Sequence, residues 1–199
     1  MTFLSNKKKQ DFFIRLLDLF VSIIGIIILA PVLLISVLFI IFLDRDYPFF
    51  LQKRIGKDEI EFVIYKLKTM RNSKTGIVLQ AHQEVGRTTK IGKFLRKYYI
   101  DEIPQLFNVI KGEMSIVGPR PYELSHYEEY KSKISGFYKR SRLKPGLTGL
   151  AQIKRLSGPI IDLRFLRRRT LLDLFWIKKK SINLYIYIIL KTLIMLIKR

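Results

Sequence analysis

From Leu19 to Leu43 the chain runs 25 residues without a formal charge. As one helix this stretch would extend ~37 Å at 1.5 Å per residue, enough to cross a hydrocarbon core of ~30 Å. It is too long, and too lightly preceded by basic charge, for a cleavable leader. Pro31 stands at its centre, where it removes a backbone hydrogen bond and bends a helix. Both flanks are basic: Lys7, Lys8, Lys9 and Arg15 before, Arg45, Lys53 and Arg54 after. The preference of basic flanks for the cytoplasmic side keeps both ends on one face. A hairpin that enters the bilayer, breaks at Ala30-Pro31 and returns satisfies this; a kinked straight span is the alternative. Asp18, at the mouth of the run, is expected at the interface, paired with a flanking cation.

Beyond the run, Phe49–Arg54 and Ile60–Lys68 are rich in Phe, Ile, Val and Tyr and flank Gly56-Lys57-Asp58, which predicts a β-hairpin. Arg71–Thr89 is polar and without period, a loop. Ile91, Phe94 and Leu95 have helical spacing and predict a short basic helix. Ile103, Leu106, Phe107 and Ile110 form an i, i+3, i+4, i+7 stripe, predicting an amphipathic helix over Glu102–Lys111 closed by Gly112. A polar helix is expected around Tyr122–Tyr138, a tight turn at Lys144-Pro145-Gly146 with Gly149, and a basic helix over Arg164–Lys180. Ile182–Ile197, 16 residues, is short for a span and suits a helix lying in the interface. The fold class is therefore α+β and helix-dominated. A membrane helix, re-entrant or spanning, and a small hairpin accompany interfacial helices around a compact cytoplasmic core. The expected boundary divides residues 1–47, the anchor, from 48–199.

Composition sharpens this. The 199 residues are 49% hydrophobic yet carry a net charge of +21. Lys131–Arg199 holds 18 Lys and Arg against only Asp162 and Asp173, so +16 of the +21 lies in the last third. Apolar and strongly basic together suit an anionic phospholipid surface, where each cation contributes about 1 kcal/mol. Clusters such as Arg167-Arg168-Arg169 also suit nucleic acid, or simply a solvated face. Cys is absent and His occurs only at 82 and 126, which excludes disulfides, thiolate chemistry and His-rich metal sites. Any metal would be a hard cation held by carboxylate and phosphate oxygens.

Two local patterns carry candidate chemistry. Pro104 in the first turn of the predicted helix would put Asp101 near its N-cap with Glu102 just inside. Asp serves there as a plain cap. The same position also brings a carboxylate and a phosphate to a helix N-terminus, and adjacent carboxylates can divide into nucleophile and Mg²⁺ ligand. Arg120 between Pro119 and Pro121 is held with little entropy to lose, either as a rigid turn or as a phosphate fork.

The segment from Ile91 to Pro121, "IGKFLRKYYIDEIPQLFNVIKGEMSIVGPRP", and "LKPGLTGLAQI" after it resemble the bacterial sugar transferases, more narrowly the monotopic phosphoglycosyl transferases in a minimal form. "IYKLKTM" at 64–70, Leu172–Leu193 and the proline-centred apolar run fit too, so the resemblance covers nearly the whole chain. It implies transfer of a phospho-sugar from a UDP-sugar to a polyprenyl phosphate at the cytoplasmic face of the inner membrane. UMP is released and Mg²⁺ is required. This is the first membrane step of a surface glycan such as an exopolysaccharide, capsule or O-antigen. The same resemblance makes Asp101 the nucleophile, through an aspartyl phospho-sugar, and Glu102 the Mg²⁺ holder. It assigns Arg96 to the polyprenyl phosphate, and Arg120 with Pro119 and Pro121 to a phosphate-binding loop. Lys66 and Lys68 match a basic strand, and Asp173 an acidic position that orients an Arg, with Arg167–Arg169 nearby. Tyr98 and Tyr99 are expected to pack. The implied helical anchor is re-entrant at Pro31, and nucleic acid is not an expected partner; a homo-oligomer stays open.

The chain departs from the pattern at Ile153–Gly158, where Arg155 fills the nucleotide-contact position only after a one-residue shift. Val85–Thr89 lacks the usual Asp, and Ala30 stands where a Ser often precedes the proline. Competing readings are a membrane-anchored basic binding module without catalysis, or an inactive relative. Sugar selectivity is expected in Arg71–Arg87 and Ile153–Leu163.

Overall fold

The computed structural model describes residues 2–71 and 86–198, with side chains in its first segment from Lys8 onward. Most of the loop expected to select the sugar therefore lies outside the described residues.

Helix α1 runs from Thr2 to Phe39 and ends in a π-helical turn, Ile40–Asp44, capped by left-handed Arg45 (φ 50°). The expected interruption at Ala30-Pro31 is absent: Pro31 sits inside continuous helix. Its fixed φ is itself helical, and it deletes only one backbone bond, so the helix passes through. Only 11% of the most apolar part of α1 is buried, which sets it apart from the core helix of a soluble domain.

The predicted hairpin forms from β1 (Phe49–Ile55) and β2 (Glu61–Leu67), antiparallel, with Phe50 opposite Lys66, Gln52 opposite Ile64 and Arg54 opposite Phe62. Helices α2 (Lys90–Lys97) and α3 (Gln105–Lys111) follow, the latter closed by Gly112 at φ 85° as its spacing predicted. The outer edge of β2 is not left open. Fully buried Asn108 on α3 accepts from the Tyr65 amide (3.0 Å) and donates to the Val63 carbonyl (2.6 Å). One side chain thus completes the edge and fixes α3 against the strand that carries Lys66.

The turn expected at Lys144–Gly149 is instead a strand. β3 (Ser115–Val117) pairs in parallel with β4 (Gly146–Thr148). Glycine is required here: a Cβ on Gly146 would lie 1.9 Å from the Gly118 amide nitrogen. The polar helix is shorter than expected, α4 (Leu124–Lys133), broken before Gly136 (φ 74°) and followed by a 3₁₀ segment, Phe137–Arg142. A one-turn helix α5 (Leu150–Ile153), the basic helix α6 (Leu163–Lys179) and α7 (Ile182–Ile197) complete the chain.

The main core joins Ile14 of α1 to Phe62, Ile64, Leu106, Val109, Met114, Trp176, Tyr185 and Ile188. A second, aromatic cluster packs Tyr122, Tyr127, Tyr130 and Phe137. A third joins Ile40 to Leu67 and Leu95. Two polar side chains of α1 lock it in place. Arg15 donates to the Val109 (2.6 Å) and Ile110 (2.8 Å) carbonyls at the C-terminus of α3. Asp18 is buried rather than interfacial, and its partners are not flanking cations: Oδ1 accepts from Ser115 Oγ (2.9 Å), the Ile116 amide (2.7 Å) and Tyr185 Oη (2.6 Å). Three donors compensate the lost hydration of a carboxylate, which a single cation at the surface need not do.

Candidate active site

Asp101 and Glu102 lie in a 3₁₀ turn, Ile100–Glu102, ahead of α3, whose N-cap is Pro104. The expectation of an N-cap aspartate is corrected by the proline. Without an N–H, Pro104 cannot bond back to Ile100, so the turn closes by i−3 bonds, Glu102 N to Tyr99 O (3.1 Å) and Ile103 N to Ile100 O (3.2 Å). Tyr99, which precedes the turn, is left-handed at φ 57°, a conformation uncommon for a bulky side chain. That kink swings the chain out of α2 and turns both carboxylates inward, where Asp101 is 7% and Glu102 8% exposed.

The two carboxylates have different environments. Glu102 Oε1 accepts from Lys66 Nζ at 2.6 Å and from Arg120 Nη2 at 2.9 Å. Burial pushes its carboxyl upward, but Arg120 and Lys66 outweigh burial and hold it well below the usual range. Asp101 shifts the other way. Burial, then the Glu102 charge, push it up against the pull of Lys66, Arg96 and Arg120. Adjacent acids driven apart in this way are suited to separate tasks: one fixed anion, and one more basic carboxylate.

The cations come from three elements. Lys66 lies on β2, and burial lowers its pKa before Glu102 restores part of it. Arg96 on α2 is oriented by Thr69 Oγ1 (2.8 Å) and Met70 Sδ (3.1 Å) at the end of the hairpin. Arg120 leaves the loop after β3, flanked by Pro119 and Pro121. Lys68, grouped with Lys66 by the family resemblance, turns away to Asp46 Oδ1 (2.7 Å). Arg155 is exposed in a left-handed turn (φ 59°) after α5, apart from this cluster of contacts.

Asp173 is buried and reaches the site through a residue the sequence did not single out. Its Oδ2 binds Arg140 Nη2 (2.7 Å) and Nε (3.2 Å), and from the nearby Arg167–Arg169 run Arg169 also acts on its charge. Arg140 also donates from Nη2 to the Arg120 carbonyl (2.8 Å) and lies 4.4 Å from the Tyr122 ring centre. The pair therefore clamps the backbone of the Pro-Arg-Pro loop. Arg169, also buried, donates to the Leu156 and Gly158 carbonyls and to Tyr122 Oη, holding the turn that displays Arg155. Between these parts lies a small, narrow void lined by Gly118, Arg120, Gly149, Gln152, Arg169 and Asp173.

Among the described residues no three His, Asp or Glu side chains gather to bind a metal on their own. The dyad still fits Mg²⁺, which is commonly held by one or two carboxylates together with substrate phosphates, and both bonds to Glu102 fall on Oε1.

A family model described as bacterial sugar transferase matches residues 9–199. A UDP-glucose:undecaprenyl-phosphate glucose-1-phosphate transferase of Klebsiella pneumoniae is 40% identical over 90% of this chain and 39% of its own length. A protein of the same name from Caulobacter vibrioides is 37% identical over 89% of this chain and 67% of its own. An exopolysaccharide production protein of Rhizobium leguminosarum bv. phaseoli is 36% identical over 90% and 92%. The chain thus spans about two fifths of the first of these relatives and nearly all of the third. With the match running through α1, the hairpin, the carboxylate turn and both C-terminal helices, the chain belongs to the bacterial sugar transferase family.

Proposed function

We propose that the protein transfers a sugar-1-phosphate from a UDP-sugar to a membrane polyprenyl phosphate, releasing UMP. The observation that carries this is the buried pair of adjacent carboxylates, one raised and one lowered, among cations in excess. A carboxylate oxygen of Asp101 attacks the β-phosphorus. The new O–P bond forms as the bond to the bridging oxygen breaks, and that electron pair leaves on UMP. An oxygen of the polyprenyl phosphate then attacks the same phosphorus and returns the carboxylate to Asp101, leaving a polyprenyl diphosphate sugar.

Arg120 and Lys66 neutralise donor phosphates while orienting Glu102, and Arg96, beside Asp101, receives the acceptor phosphate. Lys68, bonded to Asp46, and Arg155, apart from the cluster, take no part in this step. Glu102 would hold Mg²⁺, which when bound neutralises the diphosphate and stabilises the departing UMP. The relatives named as UDP-glucose and undecaprenyl-phosphate transferases support both substrate classes, and the Rhizobium protein supports an exopolysaccharide pathway. The test is UMP release from UDP-glucose with Mg²⁺ in detergent micelles. Release that continues only when undecaprenyl phosphate is added supports the reading; lipid binding with no UMP would leave a non-catalytic basic module.

We further propose that residues 1–47 form a re-entrant anchor in which α1 bends at Pro31 without breaking, with 48–199 a core on the cytoplasmic face of the inner membrane and α2, α6 and α7 along the lipid surface. Ile14, Leu17 and Val21 before Pro31, and Leu33, Val37 and Ile40 after it, all pack on the same body. A helix crossing the bilayer would keep that contact at one end only. Phe20, Ile27, Ile28 and Leu34 between them stand exposed, a face for lipid. Because the chain lacks cysteine, single cysteines at Ser5 and Arg45 report topology cleanly. Both are expected to resist an impermeant maleimide added from the periplasmic side; labelling at Ser5 alone would make α1 a true span.

A further inference from the structure

The cations so far assigned leave out Arg54. It lies on β1 opposite Phe62, so it shares the inward face of the hairpin with Phe62, Ile64 and Lys66, about 13 Å along the strands from Lys66. The next residue, Ile55, donates its amide to the Tyr122 carbonyl at 2.9 Å, which ties this end of β1 to the loop that carries Arg120. The Arg54 guanidinium is held from one side by Gln52 Oε1, 2.5 Å from Nη2. Its Nε is buried without a hydrogen-bond partner, and among the described residues no carboxylate ion-pairs with it. Burial, then the neighbouring Arg120 charge, bring it down to about 10.

A half-buried guanidinium with a buried, unbonded Nε and no ion-paired carboxylate is better balanced once an anion arrives. The neighbours that act on Arg54 are Arg120, Glu123 and Glu102, whereas those acting on Asp101 are Glu102, Lys66, Arg96 and Arg120. Arg54 therefore neighbours Glu102 and Arg120 without being among the groups that act on Asp101. In an in-line displacement the leaving oxygen departs opposite the nucleophile. We propose that Arg54 binds the phosphate of the departing nucleoside monophosphate, as a further substrate-binding residue of the donor half-reaction. This rests on the phosphoglycosyl transfer proposed above.

The experiment compares wild type with Arg54→Gln and Arg54→Lys, each checked for folding by its thermal midpoint. Two readouts are taken: equilibrium binding of labelled UMP, and the single-turnover rate at which UDP-glucose labels the protein. Arg54→Gln is expected to weaken UMP binding at least about tenfold and to slow labelling about 100-fold. Arg54→Lys should recover part of both, since it keeps the charge and loses the fork. Discharge of the label by undecaprenyl phosphate involves no nucleotide and should change less than about threefold. Weaker UMP binding in the variant, with no labelling even of wild type, upholds the arginine and overturns the aspartyl intermediate. Equal UMP affinity and equal labelling in wild type and both variants overturns the arginine.

Discussion

Replacing Asp101 with Asn is expected to lower turnover by at least about 10⁴-fold, because an amide in place of the nucleophile cannot form the covalent bond to phosphorus. The same change should raise stability at pH 7. Asp101 has a pKa raised above the ordinary carboxylate value by burial and by Glu102. Its contribution to stability is therefore complete only below the ordinary pKa and is lost as pH rises through the raised one. At neutral pH the ionised form opposes folding, and a neutral amide relieves roughly 0.5–2 kcal/mol. Glu102→Gln should do the reverse. The lowered pKa of Glu102 gives stability above the ordinary carboxylate range, lost only as pH falls through its depressed value. Without that charge Lys66 and Arg120, with side chains 17% and 34% exposed, stay partly buried and unbalanced, at about 1.5–3 kcal/mol. Thermal midpoints at pH 7 should thus move in opposite directions for neighbouring residues, and the wild-type rate should fall on the acid side, above the ordinary carboxylate range. A loss of stability in both variants would remove the division of labour.

The second large effect is expected at Asp173, more than 70 residues from the dyad in sequence. Its carboxylate is 3% exposed and its partner Arg140 is 4% exposed, so Asp173→Leu leaves an unpaired buried guanidinium. The cost is about 3–5 kcal/mol, or a fall in midpoint of roughly 6–20 °C. Combining it with Arg140→Met should recover much of the stability, since two apolar groups leave no charge stranded. Activity should not recover with it. Arg140 holds the Arg120 carbonyl at 2.8 Å, and losing that clamp frees the loop that presents Arg120. A rise of about tenfold in KM for the donor, with a folded double variant, distinguishes this positioning role from a structural one. An unchanged KM in that variant would make the pair purely structural.

What the sequence made legible follows from what is local. The hairpin, α2, α6 and α7 appear close to their predicted bounds because each is declared by its own periodicity, and Gly112 caps α3 because a left-handed residue was needed there. The anchor was legible as apolar but not as a helix continuous through Pro31, since one missing bond is little against a long helix. The parallel pair β3–β4 was missed: three-residue strands show no alternation, and their partner lies about 30 residues away. Its trace was the glycines at 118 and 146, which mark close backbone approach. Among site residues, Asp101, Glu102 and Arg120 stood out by local pattern, and the structure brings them together with Lys66 and Arg96. Asp18, Arg54, Asn108, Arg140 and Arg169 did not stand out in these roles. Each looks like an ordinary polar residue until a distant carbonyl, carboxylate or strand edge is placed beside it.

The most direct measurement is the intact mass of protein incubated with UDP-glucose and Mg²⁺ in the absence of lipid acceptor, followed by peptide mapping. The account predicts a single added hexose-phosphate on the peptide containing Asp101, removed when undecaprenyl phosphate is supplied. Protein that turns over donor and acceptor with no mass ever added, and that keeps doing so as Asp101→Ala, would contradict it.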